Sequence, residues 1–239
     1  MIAAPLHIAG ERLMLCPSGV LLWPAQGLLA VADMHLEKGS HHAIRGRMLP
    51  PYDTRETLSR LAQALRRHAP RRIVFLGDSF HDADGAHRMS VEDRATLTRL
   101  LAPLAVAWVL GNHDPALPRH LPGDMSDCLR LGPITFRHIG GGDLARFGEA
   151  EISGHYHPKA SMEVRGGFVT RPCFLAENRR VVLPAFGAYT GGLDVRDPAM
   201  AAFAPRGGRV FLLGRDRLYS APVGPQPMPT SAGRCRSAG

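Results

Sequence analysis

The sequence predicts a single compact α/β unit built around two β-sheets, and three observations point there. Five short apolar, β-prone runs recur along the chain, each closing on a polar segment. Two leucine-striped stretches with helical spacing separate the early runs. Pairs of glycines then divide the second half into further short strand candidates. At 239 residues the chain is long for one domain and short for two, and 45% hydrophobic residues suffice for a sizeable core.

The five runs are Leu28 to Ala32, Ile73 to Leu76, Ala105 to Leu110, Ile134 to Phe136 and Glu151 to Ile152, apolar enough to be buried on both faces. Between the first two, Asp53-Thr54-Arg55-Glu56 resembles a capping box and opens a helix with Leu58, Leu61, Ala62 and Leu65 on its core face. Ser90 and Asp93 start a second helix through Leu97, Leu100, Leu101 and Leu104. Further on, Gly140-Gly141-Gly142, Gly166-Gly167, Gly191-Gly192 and Gly207-Gly208 set off Val181 to Leu183 and Val210 to Leu213, the beginnings of a second sheet. The expected domain spans residues 1–220. Residues 221–239, rich in Pro, Ser, Gly and Arg without apolar periodicity, are expected to be a disordered tail.

No apolar stretch approaches the roughly twenty residues of a membrane span, and Met1 to Gly10 lacks the charged and apolar regions of a secretory leader. A cytoplasmic protein without a membrane partner is the expectation. Cys16, Cys128, Cys173 and Cys235 have no C-x-x-C spacing, which argues against a disulfide framework and a thiolate zinc site. The net charge of +8 is almost entirely arginine, Lys38 and Lys159 being the only lysines. Such a balance favours polyanionic partners, nucleic acid among them, although a solvated basic tail would produce part of it.

The chemistry lies in the polar segments. In order they are Asp33-Met34-His35, Gly77-Asp78, Gly111-Asn112-His113-Asp114, His138 and Gly154-His155-Tyr156-His157. At strand ends of an open α/β sheet, residues distant in sequence converge in one crevice. Asp, Asn and His at these positions are the oxygen and nitrogen donors that a pair of divalent ions needs. On an extended backbone Asp33 and His35 point the same way, as do His155 and His157. The two carboxylate oxygens of Asp78 make it the natural ligand shared by both ions, and Asn112 ligates without adding charge. His113 faces away from Asn112 and suits a proton donor to a leaving oxygen, with Asp114 orienting its ring. The alternative, in which His113 binds metal and Asn112 caps the turn, stays open on the same chemistry.

These segments resemble the signature of the calcineurin-like metallophosphoesterase superfamily in order, spacing and residue type. Within it, Ala32-Asp33-Met34-His35-Leu36-Glu37-Lys38-Gly39-Ser40, Leu49-Pro50-Pro51-Tyr52-Asp53-Thr54, Gly77-Asp78-Ser79-Phe80-His81-Asp82, Gly154-His155-Tyr156-His157-Pro158 and Pro184-Ala185-Phe186-Gly187-Ala188-Tyr189-Thr190-Gly191-Gly192-Leu193 resemble the ligase-associated DNA-damage-response metallophosphoesterases, the PdeM endonuclease family. The resemblance implies a four-layer α/β/β/α sandwich of two mixed sheets. It also implies two ions, one held by Asp33, His35, Asp78 and His157 and the other by Asp78, Asn112, His138 and His155. Mn²⁺ is the implied metal, with Fe, Zn and Ni also admitted by the donor set. The implied activity is a phosphodiesterase or endonuclease acting on DNA, beside a ligase and a helicase in DNA repair.

The expected mechanism is attack on phosphorus by a hydroxide bridging the ions, with His113 as general acid. Candidate substrate contacts are Arg45, Arg47, His81 and Asp82, Arg by its forked geometry towards phosphate. Glu37 and Lys38 are placed to pair with each other or to support the ligands, and Tyr189 is read as a packed sheet residue rather than a base-stacking one. Two readings compete. One is a phosphomonoesterase or a small-nucleotide or cyclic-nucleotide phosphodiesterase with the same centre; the other is a scaffold without activity, which the complete residue set disfavours.

Overall fold

The structure, a computed structural model, describes residues 1–141, 148–201, 203–204 and 206–224. Seven strands pair in chain order into a first sheet: β1 (Ala4–Ile8), β2 (Glu11–Leu15), β3 (Leu21–Trp23), β4 (Leu28–Val31), β5 (Arg72–Leu76), β6 (Ala105–Val109) and β7 (Asp124–Ser126). From β1 to β4 neighbours run antiparallel, and from β4 to β7 they run parallel. The parallel part needs crossovers: helices α1 (Lys38–Ile44) and α2 (Asp53–His68) join β4 to β5, α3 (Gly85–Arg88) and α4 (Val91–Leu101) join β5 to β6, and a loop joins β6 to β7.

The second sheet holds β8 (Cys128–Leu131), β9 (Ile134–Arg137), β10 (Ala150–Ser153), β11 (Lys159–Val164), β12 (Gly167–Glu177), β13 (Arg180–Val182), β14 (Gly208–Leu213) and β15 (Leu218–Val223). Its order is β15-β14-β12-β13-β10-β9-β8, with β11 paired to β12, and β10 lies parallel to both β9 and β13.

Period-two alternation explains the layering. In β4, Leu28 and Ala30 face the second sheet while Leu29 and Val31 face the helices; in β5, Val74 and Leu76 face inward while Ile73 and Phe75 face out. Across the sandwich, Phe174 and Ala176 of β12 close the inner core. Cys173 and Leu175 pack outward against Val195, Met200 and Phe203. The architecture is thus the predicted sandwich of two mixed sheets with helices outside, with α2 and α4 thick on one side. On the other side stands the four-residue helix Pro198–Ala201 with its adjoining loop.

All seven strand runs read from the sequence are strands here. The helix at Asp53 begins where expected, but its capping box bonds elsewhere. The Asp53 carboxylate accepts from Gly39 N (3.0 Å), Thr54 Oγ1 accepts from Glu37 N (2.8 Å), and the same hydroxyl donates to Glu37 Oε1 (2.9 Å). These side chains tie α2 to the loop after β4 instead of capping their own helix. Ser90 does cap α4, accepting from Asp93 N (3.1 Å), although the helix stops at Leu101 and Leu104 lies beyond it. Ala221 to Val223 belong to β15, so part of the expected tail is sheet. Its remainder from residue 225, with Cys235, and Gly142 lie outside the described residues. Among the described residues no helix is long and apolar enough to cross a membrane.

Candidate metal centre

The parallel strands β4, β5 and β6 and, from the facing sheet, β9 and β10 all release their chains at one end of the sandwich. There Asp33 and His35, Asp78, Asn112, His138, and His155 and His157 come together. Three donor groups form among the described residues, the ligand-type atoms of each within 4.8 Å of one another: Asp33, His35 and His157; Asp78, His138 and His155; and, towards the rim, His35, His81 and His113. The first two hold the expected ligands. Within the first, His35 Nε2 lies 3.2 Å from His157 Nε2, and Asp33 Oδ1 lies 3.4 Å from His157 Nε2. Within the second, His138 Nε2 is 3.3 Å from Asp78 Oδ1 and 3.1 Å from His155 Nδ1, and Asn112 Oδ1 is 2.9 Å from His138 Nε2.

Asp78 stands between them. Its Oδ1 faces His138 and its Oδ2 faces His35 at 3.8 Å and His113 at 4.0 Å.

The convergence is not achieved by strand pleat, as the two-residue spacing suggested. Asp33 (φ 54°), His35 (φ 44°), Asp78 (φ 46°), His155 (φ 71°) and His157 (φ 46°) are all left-handed, a conformation that costs of order 1–3 kcal/mol for each non-glycine residue. Bonds between the loops hold it: Asp33 N donates to Gly77 O (3.2 Å), His35 N to Asp78 O (2.9 Å), and His155 N to the Asp33 carboxylate (3.0 and 3.1 Å). Glycines give the room. A Cβ on Gly77 would sit 2.3 Å from the His138 ring, one on Gly111 2.2 Å from Asp78, and one on Gly154 2.7 Å from Asp33.

Burial sets the charges. It pushes the His35 imidazole down to about 3 against the pull of Asp78. For Asp78 burial would raise the carboxyl, but the hydrogen bond and charge of His138 hold it at about 2. Burial likewise works against a charged His138, and Asp78 more than offsets this and raises it. Two buried carboxylates faced by four imidazoles and an amide oxygen, with no thiolate, are a donor set that divalent cations fit.

His113 lies at the rim, its Nδ1 2.8 Å from the carbonyl of His81 and its Nε2 turned towards Asp78. Asp114 does not orient that ring. It is buried and accepts from Ser79 N (2.8 Å), Phe80 N (3.1 Å) and Gly111 N (3.0 Å), clamping the Asp78 loop to the Asn112 loop. Burial and the charge of Asp78 push its carboxyl up to about 6 in spite of those three donors. The missed signal is that a carboxylate beside a glycine-rich turn serves backbone N–H groups as readily as a neighbouring ring.

Of the four expected substrate contacts, only His81 lines the open cleft of about 540 Å³ above the centre. It stands 3.3 Å from His35, Nδ1 to Nδ1. Asp82 is engaged by a two-pronged pair with Arg88 (2.7 and 2.8 Å) and by His41, which hold its carboxyl well below the usual range against burial. Arg45 lies against the His41 ring, and Arg47 is exposed outside the cleft. Among the described residues Lys38 lines the cleft, and its Nζ donates to Tyr189 O (2.9 Å). Glu37 turns to Thr54 instead of pairing with it. Tyr189 is half exposed in a left-handed turn, not packed in a sheet.

The sequence profile of calcineurin-like phosphoesterases matches residues 28–170, which carry every metal-centre residue named above. The chain is a calcineurin-like phosphoesterase. As a solved structure, the nuclease MPE of Pseudomonas putida superposes on this phosphoesterase with a TM-score of 0.70 and 24% identity, covering 92% of this chain and all of that one. YfcE, a phosphoesterase from E. coli, reaches a TM-score of 0.42 at 11% identity over 82% of this chain and 99% of its own. No curated protein sequence matches. The phosphoesterase is therefore a hydrolase of the metallophosphoesterase fold, with His and Asp groups able to hold divalent metals.

Proposed function

We propose that this phosphoesterase is a two-metal phosphodiesterase that cuts DNA, working with Mn²⁺ in the cytoplasm beside a ligase and a helicase in repair. The observation that carries the two-metal reading is the placement of Asp78, with one carboxylate oxygen towards each donor group. In this reading Asp33, His35, Asp78 and His157 hold one ion and Asp78, Asn112, His138 and His155 the other. Bound there, such ions supply Lewis acidity, lowering the pKa of water and offsetting charge on phosphoryl oxygens.

The chain's own groups do the rest. With Nδ1–H donated to the His81 carbonyl, His113 presents Nε2 to the cleft, where it delivers a proton to the departing oxygen. Lys38 is anchored by one N–H to Tyr189 O, so its remaining donors are free to hold a phosphodiester oxygen. Asp114 acts on the site only through the backbone it clamps.

Three things favour a polynucleotide over a small ester: the cleft is open, the net charge is +8, and the structural neighbour that spans nearly the whole chain is described as a nuclease. Free thiols at Cys16, Cys128 and Cys173 fit a reducing compartment. The test compares bis-p-nitrophenyl phosphate, p-nitrophenyl phosphate and single-stranded DNA with Mn²⁺ added. Turnover of the diester and of DNA is expected, and strong preference for the monoester would overturn the reading.

A further inference from the structure

We propose that a second, basic cleft at the same end of the fold as the metal centre binds the phosphate backbone of the nucleic-acid substrate away from the bond that is cut. The cleft, about 260 Å³, lies between the β2–β3 turn and the flank of α2, walled by Pro17, Ser18, Arg60, Gln63, Arg67 and Arg215. It rests on the polynucleotide reading above and assigns that substrate a second point of contact.

Topology places this cleft at the working end of the fold. Strand β2 is antiparallel to β3 and β3 to β4, so β2 runs parallel to β4. The turn after β2 therefore emerges at the same end of the sheet as the loops carrying Asp33, Asp78 and Asn112. Two strand spacings separate β2 from β4, about 10 Å. The loop after β13 bridges the interval. Phe186 N donates to Ala32 O and Gly187 N to Asp33 O, while the guanidinium of Arg60 rests 4.9 Å from the centre of the Phe186 ring.

The charges in the cleft suit an anion. Arg60 is partly buried, and burial lowers its pKa although Glu56 acts against that, so it gains from a further negative partner. Arg60, Arg67 and Arg215 each lie beyond ion-pair distance of any carboxylate among the described residues. Arg67 shares the wall with Pro17 and Ser18 of the turn. Three guanidinium groups around a space of this size match phosphate oxygens.

The experiment uses the full chain with Mn²⁺ and measures kcat/KM for a single-stranded oligonucleotide and for bis-p-nitrophenyl phosphate across a range of salt. For Arg67→Ala/Arg215→Ala we expect about a tenfold loss on the oligonucleotide at low salt. The salt slope should be shallower by about 1.4, two phosphate contacts at about 0.7 each. Turnover of the small diester should stay within twofold. Arg67→Lys/Arg215→Lys should keep most of the slope, and Arg99→Ala/Arg165→Ala, which removes two exposed arginines elsewhere, should change neither substrate. Unchanged oligonucleotide kcat/KM and slope in the Arg67/Arg215 alanine variant would overturn the second cleft while leaving the nuclease reading in place. If the unmodified protein hydrolyses the small diester but cuts no oligonucleotide, the polynucleotide reading itself fails and this inference falls with it.

Discussion

Gly77→Ala isolates the packing that holds His138 against Asp78. Gly77 has φ 71°, which a side chain adopts at about 1 kcal/mol, and its added Cβ would meet His138 Nδ1 at 2.3 Å and Cγ at 2.4 Å. Ordinary contact begins near 3.4 Å, so the ring must move by about 1 Å, at a further cost of about 2 kcal/mol for an overpacked core. The sum, about 3 kcal/mol, corresponds to roughly 6–12 °C in Tm for a chain of this size. Moving the ring also breaks the 3.3 Å approach of His138 Nε2 to Asp78, so one of the two expected ions should be lost. Gly132→Ala is the control: φ is 52° but nothing lies within 4 Å of its Cβ, leaving about 1 kcal/mol, or 2–4 °C, and full metal content. Thermal melting in chelator and elemental analysis after Mn²⁺ loading read both effects. Equal melting and equal metal content for the two variants would refute the packing argument.

Replacing His113 by Ala should leave metal content intact and lower kcat by about 10²–10⁴, the range of a lost general acid; unchanged turnover would remove it from the chemistry. Lys38→Met should raise KM for the diester several-fold with little change in Tm, since only an exposed anchor to Tyr189 O is lost; steady-state kinetics and a melt decide. The chelated protein should also lose stability on acidification through His35. Folding holds this ring neutral down to about 3, so between pH 6.5 and 3 the unfolded chain binds the extra proton; the stability is complete above 6.5 and drains away as pH falls. From pH 6.5 to 5 that amounts to about 2 kcal/mol at 1.36 kcal/mol per unit. Asp114, raised to about 6, opposes it over part of the same range. His35→Gln should therefore lose less Tm than the unsubstituted protein between pH 7 and 5, and equal losses would contradict the burial of that ring.

What could be read in the sequence was whatever a strand's own residues announce. Leu28 to Val31 and Ile73 to Leu76 are apolar on both faces, and the polar residues that follow them have no use in a core. Strands β1 and β11 escaped notice because one face of each meets solvent and their patterning is diluted, as at exposed Val164; β12 is exposed from Gly167 to Arg171 and buried on both faces only from Cys173 to Ala176, too short a run to stand out. The ligand positions could be inferred from residue type, but the left-handed backbone that aims Asp33 and His155 could not, since it is imposed by bonds between loops over a hundred residues apart. Asp114 and the Asp53–Thr54 pair were assigned local partners and found distant ones. Side-chain hydrogen bonds to backbone carry no sequence period, so nothing nearby signalled them.

The central claim is that two cations share Asp78. Anomalous scattering from crystals of the Mn²⁺-loaded protein, paired with elemental analysis of Asp78→Asn, tests it most directly. Two peaks are expected, one among Asp33, His35 and His157 and the other among Asn112, His138 and His155, both lost or strongly depleted in Asp78→Asn. A single peak, or two peaks that persist at full occupancy in the variant, would contradict the account.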